Sequence, residues 1–127
     1  MRDILLVGSG GFLGSVVRYL LGAAVTQAAG TSRFPFSTLV VNISGSLAIG
    51  ALAAIAQREN VLAPGTRLFL FTGLLGGYTT FSAFAYETLV LGREHAWAAA
   101  ALNVLAQVAL GLVAVWLGYR GALALAA

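Results

Sequence analysis

The chain has 127 residues, 60% of them hydrophobic and only 9% charged, with a mean hydropathy of +0.94. Soluble domains carry about a quarter charged residues, so a free-standing soluble domain is excluded. Its seven arginines, absent lysine and formal charge of +3 are scattered along an apolar chain; this fits headgroup anchoring and leaves no basic patch for nucleic acid. Zero cysteines rule out disulfides, thiolate metal sites and cysteine nucleophiles.

The expected fold is an all-α membrane protein: one domain over 1–127, four transmembrane helices of about 20 residues each, and short loops between them. The first span is predicted from Ile4 to about Ala24. Within it Gly8, Gly11 and Gly14 mimic the glycine spacing of a nucleotide-binding strand-turn-helix. That fold needs an acid about 20 positions on to hold a ribose, whereas no acid lies between Asp3 and Glu59. Gly10, Gly14 and Arg18 recur every fourth residue instead, the pattern of a close-packing helix face. A lone Arg2 followed by Asp3 is a poor basic start for a signal peptide, so the segment is expected to stay in the mature protein. Arg18 lies about 21 Å along this helix. It either snorkels to headgroups or supplies a fixed positive charge beside an aqueous vestibule.

The second span, Phe34 to Gln57, carries no charge. Thr38, Asn42 and Ser46 recur at four-residue intervals and share one face, with Gly45 and Gly50 allowing close approach nearby. Such a stripe either glues helices together through hydrogen bonds or lines a permeation path. The connection Arg58 to Thr66 contains Pro64-Gly65 as a breaker.

The third span, Leu68 to Tyr86, holds the most informative stretch, Gly73-Leu74-Leu75-Gly76-Gly77-Tyr78-Thr79-Thr80-Phe81-Ser82-Ala83-Phe84. Glycine and β-branched threonine weaken a helix interior, so the hydrogen-bond ladder is predicted to open here. Within lipid an unpaired carbonyl costs several kcal/mol, so such a break needs protein, an ion or a water-lined cavity to supply partners. Broken membrane helices accordingly point to ion or substrate sites. Beyond the break Phe81 and Phe84 share a face, and Thr79, Thr80 and Ser82 offer hydroxyls beside ring edges of partial positive charge. That combination suits a small anion.

Gly92 to His95 forms a turn, and His95, without metal-ligand partners in the sequence, is expected in the loop. The fourth span runs from Ala96 to Tyr119, with Trp97, Trp116 and Tyr119 as interface anchors. Asn103, Gln107 and Gly111 form a second stripe, and two stripes favour a pathway over glue. Arg2, Arg58, Arg67 and Arg120 fall on the side of the termini, against Arg33, Arg93 and possibly Arg18 opposite. This near balance predicts a dual-topology antiparallel homodimer about an axis in the membrane plane.

Three segments together resemble the CrcB or Fluc fluoride channels: Gly10 through Tyr19, Pro35 through Ser46, and Gly73 through Glu87. The resemblance implies passive fluoride export through a dual-topology dimer in the bacterial inner membrane, with two pores and one central structural sodium ion (Na+). It implies that Asn42 is the pore asparagine, that Phe81 and Phe84 flank fluoride, and that the backbone carbonyls of Gly76 and Thr79 hold sodium. Joined to the polar stripes, this gives a fluoride pathway of Asn42, Phe81, Ser82, Phe84, Thr38, Thr80, Asn103 and Gln107, with Arg18 at a vestibule. Ala83 stands where many relatives have threonine, and Gln107 and Asn103 stand about where the fourth helix offers serine and tyrosine, so the track is rebuilt around amides. Glu87 is either a gate-side carboxylate or a capped interface residue. The expected partners are fluoride, membrane lipid and a second copy, with no nucleic acid. The competing function is a small multidrug-type cation/proton antiporter, which needs a membrane carboxylate that no mid-span position supplies. A non-transporting scaffold is a further alternative. No nucleophile, base and orienter suggest an enzyme.

Overall fold

A computed structural model describes residues 1–57 and 61–125. Among these, four helical spans are long and apolar enough to cross a membrane: Arg2–Ala29, Phe36–Ala56, Pro64–Arg93 and Trp97–Ala124. The first, second and fourth are single helices, α1 (Arg2–Ala29), α2 (Phe36–Ala56) and α6 (Trp97–Ala124). The third is segmented into α3 (Pro64–Arg67), a π-helical stretch (Leu68–Leu75), α4 (Gly76–Tyr78) and α5 (Phe81–Arg93). Arg58, counted in the arginine balance, lies outside the described residues, as does the start of the connection that follows it.

Three of the four spans outrun their expected limits, while α2 stays within its own. α1 has 28 residues and continues through Val25–Ala29 to Gly30. The extension holds no charge, helix-breaking glycine or proline, so nothing ends it before Gly30, whose φ of 63° belongs to a left-handed backbone. Ile4 to Gly14, the stretch with nucleotide-loop spacing, lies inside this continuous helix, which removes the strand-turn-helix reading. Pro64-Gly65 does not break the third span but opens it. Pro64 is at the first helical position, where its missing N–H costs no hydrogen bond and its fixed φ is already helical. Between the last two spans the chain turns at Glu94 and His95, and His95 is a loop residue with φ 60°.

Two glycine-mediated contacts hold the bundle. Along α1, a methyl group added at Gly10 would stand 2.7 Å from the Phe69 carbonyl oxygen, and one at Gly14 would overlap the Leu74 carbonyl. Gly73 and Gly77 return the approach toward Gly10 and Gly11. The other contact joins α2 and α6, where Gly50 meets the Val115 carbonyl and Gly118 meets the Leu47 carbonyl. Small residues at these positions let backbones touch, which gives dispersion contact where lipid removes any hydrophobic drive. Phe12, Leu105, Leu112 and Trp116 project outward, as lipid-facing side chains do.

Candidate functional site around the helix break

The expected break is present at Thr79 (φ −81°, ψ 158°) and Thr80 (φ −150°, ψ 111°), both extended. Each backbone polar group at these two residues has a partner. The Thr79 N–H donates to the Leu75 carbonyl at 3.0 Å, and the Thr79 carbonyl accepts from the Arg18 guanidinium at 3.4 Å. The Thr80 N–H donates to Asn42 Oδ1 at 2.8 Å, and the Thr80 carbonyl accepts from Asn42 Nδ2 at 3.0 Å. One side-chain amide thus repeats the two-bond pattern of a strand neighbour, which is how a broken backbone survives in lipid. The Thr80 hydroxyl caps α5 by accepting from the Ala83 N–H at 3.2 Å.

This arrangement takes the helical donors away from two carbonyls in particular. In a continuous helix the Gly76 carbonyl would receive the Thr80 N–H and the Thr79 carbonyl the Ala83 N–H. Asn42 takes the first donor and the Thr80 hydroxyl takes the second. Gly76 and Thr79 are the pair that the family resemblance marks for sodium. Oxygen donors from backbone carbonyls suit a hard cation, but two from one chain are too few. Among the described residues no group of three His, Cys, Asp or Glu could hold a metal.

Beside the break lies a groove of about 370 Å³, walled by Asn42, Ser46, Thr80, Phe81, Phe84 and Gln107 together with apolar residues and glycines. No ionisable side chain lines it. The Phe81 and Phe84 rings meet edge to face, centroids 5.2 Å apart at 71°. Phe84 is buried, whereas Phe81 is 78% exposed and forms an open edge of the groove. The two polar stripes run parallel and in register. Asn42 Nδ2 donates to Gln107 Oε1 at 3.0 Å across an offset of 65 residues; at the same offset Ser46 Oγ lies 3.7 Å from a methyl group built at Gly111.

The remaining expected pathway residues sit apart from the groove wall. Thr38 is buried and donates to Glu87 Oε1 at 2.5 Å. Asn103 is wholly buried and donates to Thr88 Oγ1 at 2.9 Å, while Thr88 donates to the Phe84 carbonyl at 2.8 Å. Ser82 is exposed, with its hydroxyl 3.2 Å from that of Thr80. Arg18 reaches the break, donating to the Thr79 carbonyl. Thr88 and the contact of Ser44 with the Tyr78 hydroxyl at 2.6 Å are additions that sequence reading missed. The four-residue spacing from Phe84 was the available signal for Thr88.

Known proteins resemble this chain over most of its length. The family described as "CrcB-like protein, Camphor Resistance (CrcB)" matches residues 5–119. The chain is 46% identical over 120 residues to the fluoride-specific ion channel FluC of Methylobacillus flagellatus, covering 94% of each protein. It is 48% identical over 119 residues to the protein of that name from Rhizobium meliloti, covering 93% of this chain and 94% of the relative. Against that of Rhodospirillum rubrum the identity is 48% over 120 residues, covering 93% and 92%. With the matched segment running through all four spans and the break, this chain belongs to the CrcB family.

Proposed function

We propose that the chain is a fluoride-selective passive channel that lets fluoride leave the cytoplasm and so lowers its toxicity. The observation that carries this reading is the groove at the helix break: amides, hydroxyls and aromatic edges, with no ionisable wall. Fluoride is small and strongly hydrated, so it enters a narrow site only where donors replace its water. Amide N–H groups and hydroxyls are such donors, and the positive edges of Phe81 and Phe84 add weak attraction without a fixed charge that would trap the ion. Larger halides fit so narrow a track poorly. A cation/proton antiporter is disfavoured, because its carboxylate must lie in the path and Glu87 lies outside the groove wall, held by Thr38. Nothing in a passive conduit calls for an enzymatic group.

The working unit in this proposal is an antiparallel homodimer in the bacterial inner membrane. In one copy the groove is open where Phe81 stands exposed, and a lipid wall there would leave the ion without partners; a second copy closes it. A two-fold axis would also double the carbonyls of Gly76 and Thr79 to four, enough for a structural sodium ion, which would then have to share the Thr79 carbonyl with Arg18. The backbone oxygens of Gly76 and Thr79 would hold the ion, which would supply positive charge there. Electrode-monitored efflux from proteoliposomes tests the reading: fluoride is expected to leave much faster than chloride, and equal rates would remove the assignment.

A further inference from the structure

The peptide of Thr80 fixes the polarity of every amide around it. Asparagine and glutamine amides can be turned end for end with little change of shape, so their orientation follows from their partners. The Thr80 N–H can only donate, so Asn42 turns Oδ1 toward it; the Thr80 carbonyl can only accept, so Asn42 turns Nδ2 toward that oxygen. The second hydrogen of Asn42 Nδ2 faces Gln107, and only an oxygen can take it, which places Oε1 of Gln107 toward Asn42. What remains is Gln107 Nε2, carrying two hydrogens, buried and without a partner among the described residues. Three buried side-chain atoms there lack partners: Glu87 Oε2, Asn103 Oδ1 and Gln107 Nε2. Asn103 Oδ1 can only accept and repels an anion, and Glu87 lies outside the groove wall. Only Gln107 offers donors. A rotation that paired Nε2 with Asn103 Oδ1, one turn earlier on α6, would use one hydrogen and leave the other.

Resting on the channel reading above, we infer that Gln107 Nε2 is the amide donor presented to dehydrated fluoride, and that Asn42 is a positioning residue. Asn42 has no hydrogen left to offer, because one goes to Thr80 and the other to Gln107. Its part is to hold the break open and to keep the nitrogen of Gln107 free, so the helix break selects for an anion through two successive amides.

The test is a fluoride titration of the dimeric parent in nanodiscs, followed through nitrogen-15 side-chain amide resonances. Q107M assigns the Gln107 signal among the three glutamines at positions 27, 57 and 107. Added fluoride is expected to shift the Gln107 amide protons and leave those of Asn42 in place, while equal chloride moves neither. In proteoliposomes Q107M is expected to lower fluoride efflux by roughly 10- to 100-fold, the range a hydrogen bond to a charged partner supplies. Movement of the Asn42 signal instead, movement of neither, or a Q107M rate equal to that of the parent overturns the inference. A parent that carries no fluoride removes the channel reading itself; a parent that carries it while Q107M does so equally removes only the donor assignment. Should Q107M assemble poorly, Q27M and Q57M assign the Gln107 signal by elimination, so the titration of the parent still decides the matter.

Discussion

The two halves of the bundle are built on opposite principles. Where α1 meets the π-helical stretch, glycines let backbone lie on backbone, with no room for a methyl group at Gly10, Gly14 or Gly77. Around the break, where α2, α5 and α6 face one another, contact is made by amides and hydroxyls beside an open groove, and α2 and α6 close backbone on backbone only further along, at Gly50 and Gly118. The first contact is dry and fixes the position of the third span. The second is polar and leaves space. With one half of the broken helix fixed against α1, the extended peptides at Thr79 and Thr80 are held by Arg18 and Asn42. On the proposed function, the bundle therefore separates holding from conducting.

Substitution on the tight side should have the largest effect. Gly14→Leu places a side chain into the Leu74 carbonyl, a backbone atom that cannot rotate away. Overpacking of this kind costs about 3 kcal/mol or more, and folded protein should be absent on gel filtration; a well-folded Gly14→Leu would mean that α1 is not clamped as described. Next comes Asn42→Ala, which strips both partners from the Thr80 peptide. Stranding two backbone groups should cost about 2–5 kcal/mol in detergent unfolding titrations, and fluoride efflux should fall with it. Thr80→Val removes the α5 cap together with the exposed hydroxyl contact to Ser82, so a loss of about 1 kcal/mol is expected by the same titration. The smallest change belongs to Tyr119→Phe, which deletes an exposed hydrogen bond to Gln57 at 2.6 Å and should shift stability by no more than about 0.5 kcal/mol. An inverted order would remove the distinction between the two halves.

How far the sequence could be read depended on whether a feature was local. The break was legible because Gly76, Gly77, Thr79 and Thr80 each weaken a helix by their own backbone or side-chain preference. The stripes of Thr38, Asn42 and Ser46 and of Asn103, Gln107 and Gly111 were legible from a four-residue period. What they touch was not. The clamp of Asn42 on Thr80 spans 38 residues and the Asn42–Gln107 pair spans 65, so both depend on how whole helices dock. Docking also separates Thr38 and Asn103 from the groove wall and brings Arg18 to Thr79. Helix limits were misjudged at Val25–Ala29, where an uncharged extension carries no stop signal. The π-helical stretch left no mark in Leu68–Leu75, since apolar composition does not distinguish one helical turn from another.

The central claim is that ions pass through the groove at the break rather than anywhere else in the bundle. The most direct measurement compares electrode-monitored fluoride efflux from proteoliposomes carrying the parent, the Asn42→Ala/Phe81→Ala double variant, and Leu105→Ala, whose side chain is 66% exposed on the outer face. Efflux is expected to collapse in the double variant and to match the parent in Leu105→Ala. A double variant as fast as the parent would place the conduit elsewhere.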